Sequence, residues 1–299
     1  MTTITAARHE GTIRVREGRQ LGIAEFGPAN GRAIVWFHGT PGARRQIPNE
    51  ARLIAAAEGI RIIGLDRPGV GLSTPHLYGA VADLVPDLEI VLDRLSIGEL
   101  SVIGLSGGGP YALAAAHGLG SRVRSVGVLG GVVPTRGPDG MGGGLVGLAT
   151  KFAPVLSTLR RPLGLVLTGV IRAAMPVGHQ ALGLYARISP EGDRKVLEQP
   201  EIAAMFLDDL STNGGRSMQA AVDDAILFTR PWGFDHREVQ QRVTWWHGDA
   251  DNIVPLAHAQ HFVPRLPNAE LRLRHGESHL GGLGATHEVL QTIVEGSIA

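Results

Sequence analysis

Residues 101–111 read S-V-I-G-L-S-G-G-G-P-Y. The stretch runs from an apolar β-strand pattern through a serine into three glycines and a proline. Glycine loses more backbone entropy on ordering than any other residue, so three in succession indicate a backbone shape that other residues cannot adopt. That shape could hold a nucleophile, cradle a phosphate or form a simple turn.

The letters G-L-S-G-G within this stretch match the nucleophile-elbow pattern G-x-S-x-G. In that pattern the serine lies on a sharp, strained turn between a strand and a helix, so the residues two positions away must be small. Gly104 and Gly108 occupy those positions, and an alanine-rich helical pattern follows. We therefore predict that Ser106 is a nucleophile and that the N–H of Gly107 points toward a developing oxyanion.

Two other motifs could indicate a cofactor or a metal, and neither is complete. The glycines also fit a dinucleotide fingerprint, but that fingerprint needs an acidic residue about 20 positions on, at the end of the next strand. The next strand pattern, Val123–Leu129, is followed by G-G-V-V. His258 and His261 form an H-x-x-H without an acidic third ligand nearby. The sequence therefore predicts no cofactor and no metal.

Composition limits the class of protein. The chain has 299 residues, of which 43% are hydrophobic and 19% are charged, which suits one large α/β domain or two modest ones. The formal net charge of +0 argues against a nucleic-acid partner, and the absence of cysteine excludes disulfides and a thiol nucleophile.

The sequence also bears on location. The N-terminal residues lack the apolar core of a signal peptide, and basic residues interrupt the most membrane-like region, 141–178. We expect a cytoplasmic protein with no membrane span that acts on a small-molecule substrate. The oligomeric state is left open between monomer and homodimer.

Short apolar runs alternate with longer helical patterns along most of the chain, which predicts βαβ units around a mostly parallel sheet. Residues 133–235 break this alternation, since they contain no convincing strand and are rich in Gly, Leu, Ala and Met. We therefore predict an α/β core of residues 1–132 and 236–299 with an inserted helical cap (lid) of residues 133–235. The predicted core elements are a hairpin of Thr12–Val15 and Leu21–Glu25, strands Ala33–Phe37, Arg61–Leu65, Leu100–Leu105, Val123–Leu129, Val243–Trp246 and Leu271–Leu273, and helices over 44–58, 79–95, 108–118, 255–264 and 285–296.

Two earlier strand ends carry turn motifs. The letters H-G-T-P-G follow the strand that ends at Phe37, and a tight turn there can place the N–H of Thr40 beside that of Gly107 as a second oxyanion donor. We interpret His38 as a residue that braces this turn. The stretch D-R-P-G-V-G-L-S begins at Asp66 and is interpreted as a scaffold turn, with a direct ligand role as the alternative.

An acid and a base follow later strands. In H-G-D-A-D-N-I-V-P, Asp251 lies in the loop beyond the turn, whereas Asp249 is better placed to brace that loop. His279 lies between the last strand and the final helix. His275 is too close to the strand end to act as a base, and His287 falls within the predicted helix. We therefore predict Asp251 and His279 as the acid and the base.

Together these motifs resemble those of the α/β-hydrolase superfamily, over nearly the whole chain outside residues 133–235. The order Ser106, Asp251, His279 is that family's order of nucleophile, acid and histidine. The motifs H-G-x-P-G and D-x-P-G-x-G-x-S are similar to those of the branch that holds proline iminopeptidases, epoxide hydrolases and haloalkane dehalogenases. The latter two use an aspartate nucleophile where this chain has Ser106. Relatives often have glycine where this chain has Ser278.

The resemblance implies an α/β-hydrolase fold and a mechanism. His279 would accept the proton of Ser106 as the serine attacks an acyl carbonyl, while Asp251 would fix the imidazole tautomer. The N–H groups of Thr40 and Gly107 would bind the oxyanion, and water would then cleave the acyl-enzyme.

The cap sequence leaves the substrate open. Met141–Leu148 and Leu163–Ile171 could line an apolar pocket or form the packing core of the cap. The acidic pairs at 208–209 and 223–224 could receive a substrate amino group or lie on solvated helix faces. Our leading hypothesis is a hydrolase of carboxylic esters with small or medium apolar acyl chains. The alternatives are a proline-iminopeptidase-like peptidase, a C–C bond hydrolase and a non-catalytic small-molecule receptor.

Overall fold

Eight strands form one sheet in the computed structural model, which describes residues 4–214 and 216–297. The strands are β1 (His9–Arg14), β2 (Gln20–Phe26), β3 (Arg32–Phe37), β4 (Ile60–Leu65), β5 (Leu100–Leu105), β6 (Val123–Leu129), β7 (Arg242–Gly248) and β8 (Ala269–Arg274). Their spatial order is β1-β2-β4-β3-β5-β6-β7-β8. Only the pairs β1–β2 and β2–β4 are antiparallel, so the prediction of a mostly parallel sheet is confirmed.

The sequence of the strands explains this arrangement. β1 and β2 form the predicted hairpin, in which Ile13 pairs with Leu21. β4 and β5 are buried along their whole length, as expected for strands covered by helices on both faces of a parallel sheet. Trp245 and Trp246 point to opposite faces of β7 and are both fully buried, one in each of the two apolar cores that flank the sheet.

The helices cover both faces of the sheet and fill the chain between β6 and β7. They are α1 (Asn49–Ala57), α2 (Val85–Arg94), α3 (Gly109–Leu119), α4 (Gly144–Lys151), α5 (Ala153–Thr158), α6 (Arg160–Ala174), α7 (Gly178–Ile188), α8 (Glu191–Leu197), α9 (Pro200–Asp209), α10 (Gln219–Leu227), α11 (Leu256–Phe262), α12 (Gly281–Gly284) and α13 (Thr286–Gly296). Within the described ranges, no helix combines the length and the apolar composition needed to cross a bilayer.

Helices α4 to α10 occupy the segment predicted as a cap. The described residues between β6 and β7 contribute no strand to the sheet. The boundaries 133 and 235 stay a prediction. Residue 215 of this segment and residues 1–3, 298 and 299 of the predicted core lie outside the described residues.

The helix predicted over 44–58 begins five residues later, at Asn49. Pro48 sets this start, because it has no N–H, holds an extended ψ of 141° and disfavours helical backbone at the residue before it. The loop before Pro48 is held by carboxylates instead. The N–H of Arg44 donates to Asp66, and those of Ala43 and Arg45 donate to Asp209 of α9. Local sequence carries no signal of these distant acceptors.

The parallel strands bring the predicted site residues to one edge of the sheet. Thr40 follows β3, Ser106 follows β5, Asp251 follows β7 and His279 follows β8. These strands are parallel, so their carboxyl ends meet at the same edge, where open α/β sheets bind ligands.

Candidate active site

Ser106 lies on the sharp turn between β5 and α3. Its φ of 51° is in the left-handed region, which is strained for a residue with a side chain. A Cβ on Gly104 would lie 2.5 Å from the carbonyl oxygen of Gly108, and one on Gly108 would overlap the carbonyl oxygen of Phe37. The turn therefore closes only with glycine at both positions, as the pattern predicts.

The structure brings Ser106, His279 and Asp251 into one hydrogen-bonded chain. The Nε2 of His279 lies 2.8 Å from the Oγ of Ser106, and its Nδ1 lies 2.8 Å from the Oδ2 of Asp251. An ionised carboxylate only accepts, so Nδ1 carries the proton and Nε2 presents its lone pair to the serine hydroxyl. The three residues are 8%, 6% and 6% exposed, which keeps bulk water from competing for these bonds.

The surroundings of Asp251 keep it ionised. Burial alone raises the pKa of a carboxyl group, but hydrogen bonds from His247 and His279 act against it and hold the pKa of Asp251 below its ordinary range. The Oδ1 of Asp251 also accepts the N–H groups of Ile253 (2.8 Å) and Val254 (2.9 Å). These contacts hold the carboxylate in one orientation and keep it ionised.

His247 supports the acid and was not predicted. Its Nδ1 accepts the indole N–H of Trp245 at 3.1 Å, so Nε2 carries the proton. This Nε2 lies 2.8 Å from the carbonyl oxygen of Val254 and 3.4 Å from the Oδ2 of Asp251. The available signal was its place at the end of β7, directly before the acid loop.

Asp249 lies outside the hydrogen-bonded chain of Ser106, His279 and Asp251. Its Oδ1 accepts the N–H of Gly276 at 2.9 Å, and its Oδ2 lies 3.1 Å from the Nδ1 of His275. Both contacts join the turn after β7 to the turn after β8. Asp249 therefore braces the loop that leads to His279, whose imidazole contacts Asp251 instead.

Thr40 and Gly107 lie side by side. A Cβ on Gly107 would overlap the Oγ1 of Thr40, so the Thr40 side chain can lie this close to residue 107 only because residue 107 is glycine. The same Cβ would lie 3.1 Å from the ring of Phe228, which borders this corner of the site. The predicted oxyanion donors therefore belong to adjacent segments beside Ser106.

A buried network centred on Asp224 of α10 holds the Thr40 loop. The Oδ2 of Asp224 accepts the hydroxyl of Thr40 at 2.6 Å and the guanidinium of Arg67 at 2.6 Å and 3.0 Å. Its Oδ1 accepts the hydroxyl of Tyr111 at 2.8 Å. Arg67 also donates to the carbonyl oxygen of His38 at 2.5 Å. Burial and the Asp224 carboxylate raise the pKa of Tyr111 well above its ordinary value, so its hydroxyl remains a donor.

His38 has the bracing position that the sequence predicts. Its Nδ1 contacts the carbonyl oxygen of Gly39 at 2.7 Å, and its Nε2 accepts the N–H of Arg67 at 3.3 Å. Burial, together with the neighbouring Arg67 guanidinium, keeps the pKa of His38 well below its ordinary value. The ring is therefore neutral and ties the turn after β3 to the turn after β4.

A second carboxylate from the cap segment holds the loop of His279. The N–H of Leu280 donates to the Oδ1 of Asp193 in α8 at 2.7 Å. The preceding residue, Gly192, packs so closely that a Cβ would lie 2.6 Å from the backbone nitrogen of Ser278. Burial raises the pKa of Asp193. No local sequence signal identifies this contact, because it joins residues far apart in the chain.

The other carboxylates of the two predicted acidic pairs already have partners. Asp223 pairs with Arg160 through both oxygens at 2.5 Å and 2.9 Å. Asp208 lies 2.8 Å from Arg45 and 3.1 Å from Arg52. The remaining carboxylate, at 209, accepts backbone N–H groups from the loop after β3. These carboxylates join the cap segment to the core or to its own helices.

Residues 32–283 match the family model described as the alpha/beta hydrolase fold. This chain belongs to the α/β-hydrolase fold family. The predicted fold and family are thereby confirmed.

Curated relatives match over a segment of the chain. A proline iminopeptidase from Neisseria meningitidis is 34% identical over 127 residues, which are 42% of this chain and 40% of that protein. A proline iminopeptidase from Arabidopsis thaliana is 35% identical over 107 residues, 35% of this chain and 28% of that protein. The matched segment of this chain thus spans 40% or less of the length of each of these two relatives.

Solved structures match over almost the whole chain. An esterase from Exiguobacterium antarcticum has a TM-score of 0.68 at 18% identity, covering 97% of this chain and 100% of that one. An enol-lactonase from Burkholderia xenovorans has a TM-score of 0.70 at 15% identity, with the same coverage. At such identities the likeness concerns the fold.

Proposed function

We propose that this α/β hydrolase is a serine esterase that cleaves carboxylic esters of small or medium apolar substrates through an acyl-enzyme. One observation carries the proposal. The Oγ of Ser106, the imidazole of His279 and the carboxylate of Asp251 form an unbroken chain of 2.8 Å contacts at the carboxyl edge of the sheet.

The mechanism follows from the donors and acceptors of these three groups. The Oγ of Ser106 attacks the ester carbonyl carbon while its proton moves to the Nε2 of His279. Asp251 stabilises the imidazolium through Nδ1–H, and the N–H groups of Thr40 and Gly107 donate to the oxyanion. Collapse of the tetrahedral intermediate expels the alcohol, which takes the proton from His279.

Deacylation repeats these steps with water as the nucleophile. His279 accepts a proton from water as its oxygen attacks the acyl carbon. The second tetrahedral intermediate collapses, Ser106 leaves and regains its proton, and the carboxylic acid is released.

A proline-iminopeptidase-like activity is the second candidate, and the similarity to the Neisseria and Arabidopsis proteins favours it. An aminopeptidase must bind a substrate ammonium group, for which an unpaired carboxylate near the site is suited. The candidate carboxylates at 208–209 and 223–224 instead contact arginines, hydroxyl groups or backbone N–H groups. This engagement supports an ester substrate without a charged amine.

Steady-state kinetics on two substrate series tests the choice. We expect kcat/KM for aryl esters of short fatty acids to exceed that for proline anilides with the same leaving-group type, and Ser106→Ala to abolish ester turnover at an unchanged Tm. Preference for proline anilides would identify the second candidate. Equal ester turnover by the wild type and Ser106→Ala would contradict a serine mechanism altogether.

A further inference from the structure

Exposed apolar side chains are concentrated in one part of the chain. Among the described residues, every large apolar side chain with high exposure other than Leu53 and Leu273 lies between positions 145 and 188. We call this set the outer cap face. It comprises Leu145, Leu148, Phe152, Val155, Leu159, Leu165, Val166, Val170, Val177, Leu184, Tyr185 and Ile188.

Helix α7 contributes a continuous stripe. Ala181, Leu184, Tyr185 and Ile188 follow the spacing i, i+3, i+4, i+7, which places them on one side of the helix, and all four are exposed. Leu184 is 62% exposed and Ile188 is 76% exposed. The opposite side, which includes buried Ala186, packs toward α8 and α9. The stripe thus lies largely on the side of α7 turned away from buried Ala186.

Helix α6 is apolar on both sides. Its inner side packs Leu167 and Ile171 against a small buried cluster that includes Met218. On its outer side, Leu165 is 73% exposed and Val166 is also exposed. Exposed apolar patches on a soluble protein commonly mark an interaction surface, so the outer side of α6 is a candidate for one.

Helices α4 and α5 repeat this pattern. Leu145 and Leu148 lie three positions apart on α4, so they share one side of it. Exposed apolar side chains continue along the chain at Phe152, Val155 and Leu159, on α5 and at its two ends. Both helices, like α6, pack against α10, whose Asp224 contacts the core. The residues of the outer cap face thus belong to successive helices, of which α4, α5 and α6 each pack against α10.

The charged side chains near the outer cap face are basic. Residues 140–190 contain no aspartate or glutamate. Lys151, Arg161 and Arg187 are exposed and form no ion pair with any residue in the described ranges. The segment therefore combines exposed apolar stripes with cations, a combination typical of helices that bind the surface of an anionic membrane.

We propose that the outer cap face docks on the surface of an anionic phospholipid bilayer, with its apolar side chains at the acyl boundary and its cations at the lipid phosphates. A second copy of the chain fits less well. A twofold contact through this face would bring two sets of the cations Lys151, Arg161 and Arg187 into one interface, to which residues 140–190 contribute no acidic partner. The inference does not depend on which bond the enzyme cleaves.

Co-sedimentation with lipid vesicles tests the proposal on the full chain. Vesicles of phosphatidylcholine mixed equally with phosphatidylglycerol are compared with vesicles of phosphatidylcholine alone. We expect binding to the anionic vesicles that weakens as salt is added. Arg161→Gln combined with Arg187→Gln should weaken it by roughly fivefold per cation removed.

An apolar variant and a matched control locate the contact. Leu184→Gln combined with Ile188→Gln should reduce vesicle binding at least as strongly as the arginine variant. Leu53→Gln combined with Leu273→Gln, which alters exposed leucines outside the face, should leave it unchanged. Circular dichroism and turnover of a water-soluble ester check that each variant is folded.

Two results would overturn the proposal. One is a wild-type protein that stays in the supernatant with anionic vesicles, or whose binding the control variant reduces equally. The other is a wild-type dimer in solution that the Leu184 and Ile188 variant converts to monomer, because the face would then be covered by a second copy.

Discussion

The tautomer of His279 decides what Ser106 can do. Asp251 accepts the Nδ1–H of His279, so the lone pair on Nε2 faces the serine hydroxyl. Asp251 keeps its charge because its depressed pKa lies below the ordinary carboxyl value. The stability that this carboxylate contributes is present above the unfolded-state pKa, about 3.9, and is lost as the pH falls through the folded pKa.

Substitution of the acid tests this arrangement. Asp251→Asn keeps the size of the side chain but removes the charge and can turn the imidazole to the wrong tautomer, so we expect kcat for ester cleavage to fall by about 10⁴-fold. The matched control is Asp249→Asn, whose carboxylate contacts Gly276 and His275 only. We expect its kcat to stay within a few-fold of wild type. Equal losses in the two variants would remove Asp251 from its assigned role.

Asp209 makes stability depend on pH. Burial, with the nearby Asp66 carboxylate, raises the pKa of Asp209 to about 7, although N–H donors oppose the shift. Between the unfolded-state value of about 3.9 and this folded value, the folded state holds a proton that the unfolded state has lost. The unfolded state then binds fewer protons, so the free energy of unfolding falls as the pH rises through this window.

The Asp209→Asn variant isolates this effect. We expect the wild type to lose stability relative to the variant as the pH rises from about 4 to about 7, because asparagine has no proton to release. Urea unfolding at a series of pH values measures the difference. Parallel pH profiles for the two proteins would show that Asp209 does not titrate in this window.

At the level of the element, α10 and α8 each place one carboxylate on a loop of the site. Asp224 holds the Thr40 loop, and Asp193 holds the loop after His279. The sequence could not distinguish Asp223 from Asp224, since both are acidic neighbours on one helix. About 100° separates adjacent residues around a helix, so one reaches Arg160 and the other reaches Arg67.

Removal of Asp224 should therefore affect stability and catalysis together. Asp224→Ala leaves the Arg67 guanidinium buried without a counter-charge, which we expect to cost about 3–5 kcal/mol of unfolding free energy. The surface pair of Glu191 and Lys195 is the control, since both side chains are exposed and solvent screens their attraction, so Glu191→Ala should leave the free energy of unfolding nearly unchanged.

Kinetics separate positioning from folding. Asp224→Asn keeps an oxygen that can accept from Thr40 and Tyr111, so it should retain more kcat than Asp224→Ala at a temperature where both are folded. If Asp224→Ala matched the Glu191→Ala protein in stability and the wild type in kcat, Asp224 would not hold the Thr40 loop.

For the whole molecule, the sheet followed from the alternation of apolar runs and helical patterns along the sequence. Ser106, Asp251 and His279 come together because each follows the end of a parallel strand, and their catalytic roles stay predictions. The start of α1 did not follow from the apolar pattern, since Pro48 holds extended backbone directly before Asn49. Nor did the contacts of Asp224 and Asp193, because helical periodicity places a residue on a face without naming its partner. The cap boundaries, the cytoplasmic location and the oxyanion role of Thr40 and Gly107 stay predictions.

Reaction with a fluorophosphonate probe reports directly whether His279 activates Ser106. Intact mass is measured over time for the wild type, Ser106→Ala, His279→Ala and, as a control histidine outside the triad, His275→Ala. We predict a single adduct on the wild type and on His275→Ala, none on Ser106→Ala, and an adduct on His279→Ala only after a greatly prolonged reaction. An adduct that persists in Ser106→Ala, or a folded wild-type protein that forms none, would show that Ser106 is not an activated nucleophile.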